Sequence, residues 1–269
     1  MRKLTIFSIL IAIASLFASC KKEFDLDLNG QNKNLLVVEG MITDQNEPQF
    51  IRLSRTVSYL NQVKPQPVED ASVVVNVDGK DIAFTQQTPG VYYAPSGFVG
   101  EVGKTYNLTI TVDGQVYKAS SKMNKPQLME AASTRTHEFD ADYFEIRLTF
   151  TDNPDKGDFI LFKYARNGQL IDTLNKWSYY NDKITNGQHF DNIRVFGNVE
   201  GSVGDQITVY SYSISEEFKN FIDAAESATD EPMPFFPPPG AAITGNISNG
   251  AVGFFQASAV KKIATVLRK

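Results

Sequence analysis

Four Asp-Gly or Asn-Gly pairs, each set between runs of β-forming residues, constrain this chain more than any other feature. They are Asp78-Gly79, Asp113-Gly114, Asn167-Gly168 and Asn249-Gly250. A two-residue hairpin turn needs positive φ at its central positions, and Asn, Asp and Gly adopt it at least cost. Residues 71–77 and 81–85 flank the first pair, and residues 106–112 and 115–119 flank the second. Upstream, residues 35–44 and 50–57 read as two further strands. Lys64-Pro65-Gln66-Pro67 reads as a loop, because neither proline can donate to a ladder. Many short strands at close spacing with turn punctuation predict a β-sandwich.

The pattern lapses at Asn124-Lys125-Pro126, which predicts a sandwich over residues 35–125 and a second β domain over 126–269. In the second, residues 143–150 alternate cleanly, 158–165 and 169–174 flank Asn167-Gly168, and 193–199 and 206–214 continue the sheet. One helix is expected over 215–228, with Phe218, Phe221, Ile222 and Ala225 on one face. Ser213 with Glu216 fits a capping box, and Ser215 is a rival N-cap. Five prolines between Pro232 and Pro239 exclude helix or central strand, so 231–240 reads as a strap. Residues 241–260 read as a closing hairpin around Asn249-Gly250, too apolar at Ile243, Ile247, Val252, Phe254 and Phe255 to lie free in water. The expected fold is therefore all-β: two β-sandwich-like domains with one short helix in the second. On this reading residues 34–125 fold alone, and a chain cut after Glu231 loses only its second half.

The N-terminus predicts a location. Arg2 and Lys3 precede an apolar run from Leu4 to Phe17, and Leu16-Phe17-Ala18-Ser19-Cys20 follows the pattern of a lipoprotein signal peptide. The run is shorter than the ~20 residues of a membrane-spanning helix. Residues 1–19 are expected to be removed, leaving Cys20 lipidated and residues 20–34 as a flexible tether. The expected site is the outer membrane, on its periplasmic or cell-surface face. The charged stretch Lys21-Lys22-Glu23 with Asp25 and Asp27 resembles in part the acid-containing signal that sends Bacteroidetes lipoproteins to the cell surface, and reads equally as a solvated tether. Cys20 is the sole cysteine, so its acylation leaves neither disulfide nor thiolate nucleophile. A net charge of −5 without basic blocks argues against nucleic acid as a partner.

Chemistry is sparse. His137 and His189 fit no zinc pattern. Asp152-Asn153-Pro154-Asp155-Lys156-Gly157-Asp158 is the best calcium candidate, but a calcium loop starting there puts Pro154 and Lys156 at ligand positions, and a tight turn explains the same letters. Asp140, Asp142 and Glu145 could supply paired carboxylates or simply an acidic strand edge. No nucleophile elbow, phosphate loop or dinucleotide fingerprint occurs. No catalytic residue, metal or cofactor is expected. Trp177, Tyr179 and Tyr180 read either as a platform for a sugar or protein partner or as the inward face of a strand. Phe235 and Phe236, among prolines, either face a partner or cover the core.

Several segments together resemble a known family: the signal pattern ending at Cys20, then LVVEGMITD, IRLSRTVSY, PVEDASVVV and GKTYNLTITVDGQVYKASS, then EEFKNFIDA and PPPGAAITGNISNGAVGFFQAS. They resemble the Bacteroidetes outer-membrane lipoproteins classed as domain of unknown function 4249. The first half is also similar to Ig-like, carboxypeptidase-regulatory β-sandwiches. The resemblance implies an envelope lipoprotein, often encoded near TonB-dependent receptors, with no catalytic residues to carry over. The expected function is a non-catalytic accessory or binding subunit beside such a receptor. A stand-alone adhesin or glycan-binding module is the alternative, and a hydrolase ranks last.

Overall fold

The strand that completes the N-terminal sheet comes from the far end of the chain. The computed structural model describes residues 34–57, 64–140, 142–154, 159–181, 187–229, 243 and 245–269. Cys20, the tether up to Lys33, the proline-rich strap with Phe235 and Phe236, and Asp155–Asp158 lie outside these residues. The first sheet holds β1 (Leu36–Thr43), β2 (Phe50–Arg55), β3 (Gln66–Pro67), β4 (Ser72–Val77), β5 (Lys80–Thr88), β6 (Val91–Tyr93), β7 (Thr105–Val112) and β8 (Gln115–Lys122). To these is added β16 (Val252–Ser258), and the order is β16-β1-β2-β6-β5-β4-β7-β8, with β3 on β2. The Asp-Gly turns work as the sequence predicts: Asp78 and Asp113 sit at φ 50° and 51°, and each closes an antiparallel pair. Alternate residues face inward, so Val38, Ile51, Leu53, Val75, Tyr106, Leu108 and Ile110 share one core. Phe255, Ala257 and Ala259 from the end of the chain belong to the same core.

The closing hairpin over 241–260 is therefore corrected. Asn249-Gly250 makes its turn, at φ 59° and 73°, yet β16 leaves it to run parallel to β1, from Val37↔Val252 to Thr43↔Ser258. Gly253 explains the departure. It holds φ 99°, and a Cβ there would overlap the Val38 backbone, so only glycine lets β16 approach β1. Gly245 packs as tightly against the Gly253 carbonyl.

Residues 246–248 then bridge the sheet's two ends. The Asn246 side chain mimics a peptide group: its Oδ1 accepts from Phe255 N–H at 2.9 Å and its Nδ2 donates to Phe255 C=O at 2.8 Å. Ser248 N–H donates to Lys118 C=O at 2.8 Å, and the Ser121 hydroxyl accepts from Ala257 N–H at 2.9 Å. With β8 and β16 tied in this way, the sheet curls nearly closed. Asn246→Ala orphans two backbone groups of a buried strand and should cost about 1–3 kcal/mol. Urea unfolding should show this as a lower midpoint at unchanged slope.

The second half is two facing sheets. One is β9 (Leu128–Thr136), β10 (Tyr143–Thr151) and β14 (His189–Glu200), in the order β14-β10-β9. The other is β11 (Phe159–Arg166), β12 (Gln169–Ile171), β13 (Ser178–Asn181), β15 (Gln206–Ile214) and β17 (Val260–Val266). It runs β12-β11-β15-β17, and β13 also pairs with β11. Phe144, Ile146, Leu148 and Phe150 of β10 meet Ile160, Phe162 and Tyr164 of β11 in the shared core. Among the described residues the one α-helix is α1 (Glu216–Thr229), close to the expected 215–228. Ser215 is its N-cap, its Oγ accepting from Phe218 N–H at 3.1 Å. Ser213 serves the joint between the halves: its Oγ donates to Asn124 C=O and accepts from Ala259 N–H, both at 3.0 Å. Phe218 and Ile222 pack with Phe254 of β16 and Phe159 and Leu161 of β11 in a third core.

The division into 35–125 and 126–269 is corrected by the same strands. β16 belongs to the first half, and β17, separated from it by Ala259, belongs to the second. Asp44 and Gln45 clasp this crossover, accepting from Val260 N–H at 2.8 Å and donating to Val260 C=O at 3.0 Å. Residues 34–269 accordingly form one compact unit.

Candidate functional site

The outer face of β9, β10 and β14 carries the densest charge chemistry. Inward residues of β10 alternate with Glu145, Arg147, Thr149 and Thr151, which face out. β14 uses 12 residues against 9 of β10, because register shifts insert extra residues opposite Glu145, next to Arg147 and opposite Thr149. Such bulges re-aim side chains. Three guanidiniums converge on Glu145: Arg135 Nε at 2.7 Å and Arg147 Nη1 at 3.0 Å on Oε2, and Arg194 Nη1 at 3.3 Å on Oε1. The Glu145 side chain is 1% exposed. The Arg135 hydrogen bond is the main cause that lowers its pKa to about 2, against burial, which alone would raise it. Glu145 is thus held ionised and cannot serve as a general acid. Asp140 accepts from Asp142 N–H in a turn at 3.0 Å, while the Glu145 carboxylate is taken up by the three arginines.

Beside the cluster, Asn192 sits at φ 50°. Its N–H donates to Thr149 Oγ1 at 3.0 Å and its Oδ1 accepts from Ser133 at 2.8 Å. Thr149 Oγ1 donates to Asp191 at 3.1 Å. Ala131, Ser133, Arg147, Thr149, Asp191 and Asn192 line a shallow concavity here.

Of the sequence-named aromatics, Trp177 and Tyr179 pack toward α1, while Tyr180 turns into the second core. Tyr180 meets Phe150 and Phe190 edge-on at 5.5 and 4.8 Å. The period of two separates them, since β13 pairs flat against β11. Trp177 covers a side chain the sequence reading missed. The Lys163 ammonium lies 3.7 Å from the Trp177 ring centroid and 2.6 Å from Asp172 Oδ1. Burial pushes the Lys163 pKa down and Asp172 opposes it. The Tyr179 hydroxyl is buried without a hydrogen-bond partner among the described residues, and burial raises its pKa. Lys163 is thus a tie between a core strand and the turn at Leu174–Lys176, satisfied internally.

The histidines lie on different partners: His137 Nδ1 accepts from Phe139 N–H, and His189 sits 3.3 Å from Glu130. Among the described residues no group of three or more His, Cys, Asp or Glu is placed to hold a metal ion. Asp152 is buried, with Oδ2 accepting from Gly187 N–H at 3.2 Å, and the rest of the calcium candidate falls outside the described residues.

Fold and site together define an all-β protein with one α-helix among the described residues and a charged outer sheet face. The chain belongs to the family of the Domain of unknown function (DUF4249), whose model matches residues 21–264. Among curated protein sequences none matches it significantly. Among solved structures it is similar to the Yersinia pseudotuberculosis adhesin InvE, at 14% identity and a TM-score of 0.21. That likeness covers 66% of this chain and 55% of the adhesin chain, so the protein spans about half of that structure.

Proposed function

We propose that the protein is a non-catalytic, lipid-anchored subunit of an outer-membrane complex, docked beside a TonB-dependent receptor on the cell-surface side. The observation that carries this reading is the crossover at Ala259, which sends consecutive strands of the chain's end, β16 and β17, into the two halves. A unit joined in this way presents its loops and sheet faces in a fixed relation, which suits docking. The groups with displaced pKa values add support, because Glu145 and Lys163 each spend their charge on internal partners. Gentle detergent extraction of the full chain should bring a β-barrel receptor with it in stoichiometric amount. Recovery of the chain alone from such extracts would count against the reading.

The anchor is tested separately. With Cys20→Ser the protein should lose lipid labelling and leave the membrane fraction, since no described helix is long and apolar enough to span a bilayer. Labelling that persists in the variant would remove Cys20 as the lipid site.

A further inference from the structure

Arg147 and Arg194 stand directly opposite each other across β10 and β14. Like charges in that position destabilise a sheet, and Arg135 brings a third guanidinium to the same carboxylate. Glu145 offsets one of the three. The nearby acids have other partners: Asp191 accepts from Thr149, and Glu130 accepts from Thr151 Oγ1 at 2.6 Å and faces His189. Glu138 acts on Arg135 through space. Excess positive charge therefore remains on an exposed sheet face, and among the described residues no second carboxylate pairs with these guanidiniums.

The adjoining concavity has a volume of about 330 Å³. Apart from Ala131 the residues that line it are polar: Ser133, Thr149, Asn192, Asp191 and Arg147. Asn192 is fixed in the left-handed region at a bulge, a conformation that costs stability and persists where neighbours hold it. Guanidinium N–H groups favour a planar or tetrahedral oxyanion. Clustered hydroxyl, amide and carboxylate groups favour vicinal hydroxyls, which both donate and accept.

We propose that the outer face of β9, β10 and β14 binds an anionic saccharide. Its carboxylate or sulfate sits on the remaining N–H groups of Arg147 and Arg194, and its hydroxyls meet Ser133, Asp191 and Asn192. This site adds to the docking reading and does not depend on it.

Calorimetric titration of the full chain in mild detergent tests it, with oligogalacturonate as the carboxylate probe, dextran sulfate as the sulfate probe and neutral dextran as the control. At least one anionic probe should bind and neutral dextran should not. Arg194→Gln, chosen because its bond to Glu145 is the longest of the three, should weaken binding about tenfold or more while lowering the melting temperature by only about 0–4 °C, as for a half-exposed ion pair. Asp191→Asn separates a seated sugar from bare charge attraction. Removing a negative charge strengthens plain electrostatic attraction, whereas exchanging a charged acceptor for the weaker amide oxygen weakens its bond to a sugar hydroxyl, so weaker binding of a seated saccharide is expected. Absence of binding by both anionic probes, equal binding of neutral dextran, or tighter binding by Asp191→Asn would each overturn the proposal.

Discussion

A chain ending at Glu231 is expected to show no cooperative melting in either half. The deletion removes β16, and with it the seven-residue ladder to β1 and the buried Phe255, Ala257 and Ala259 of the first core. It also removes β17 from beside β15, Leu267 from the second core and Phe254 from the third. A single buried aromatic contributes about 1.5–3 kcal/mol. Losses of that size at three cores, with two ladders opened as well, are comparable with the whole ~5–15 kcal/mol by which a domain is stable. Residues 34–125 in isolation should fail for the same reason, leaving the β1 edge and a half-lined core open to water. Circular dichroism melts and dye binding would report a molten product for both pieces. A sharp melt from residues 34–125 would show that β16 is an accessory strand and that the first half stands alone.

How much of this was legible depended on how local each signal was. Asp78-Gly79, Asp113-Gly114 and Asn167-Gly168 specify their hairpins from adjacent residues, and all three close between the strands that flank them. The face of α1 and its Ser215 cap were equally local. Asn249-Gly250 carried the same letters and misled, because the partner of β16 lies more than 200 residues upstream. The signal was present in Gly245 and Gly253, but a glycine shows that something approaches, not what. β9 was missed because Leu128–Thr136 does not alternate apolar with polar, and β6 because Val91–Tyr93 is only three residues long. The Arg cluster was half visible: Glu145-Ile146-Arg147 places two charges on one strand face. Arg135 and Arg194 join them only through cross-strand register, Arg135 from β9, whose strand pattern is weak, and Arg194 from β14, whose bulges put it beyond reading from spacing.

The largest single-residue effect on a charged group should come from Glu145. Its replacement by Ala leaves three guanidiniums in mutual contact around a void. Breaking a fully buried ion pair costs ~3–5 kcal/mol, and Arg135 and Arg194 are half exposed, so solvent screening brings the expected loss to about 2–4 kcal/mol. At this chain length that is a fall of roughly 5–15 °C in melting temperature. Glu145→Gln is the more informative change, since glutamine resembles the protonated acid. The folded-state pKa is held at about 2, below the ordinary glutamate value an unfolded chain has. A depressed carboxylate pKa means stability that is present above the unfolded value and is lost as pH falls through the folded one. The gap between the natural protein and Glu145→Gln should therefore be widest near neutral pH, at about 1–3 kcal/mol after screening. It should shrink below roughly pH 4.5 and vanish near pH 2, because the natural side chain is then protonated as well. Denaturant titrations of both proteins from pH 7 to pH 2 measure this gap directly. A gap that stays constant across that range would mean that Glu145 acts through shape and packing, and that its charge does not hold the three arginines together.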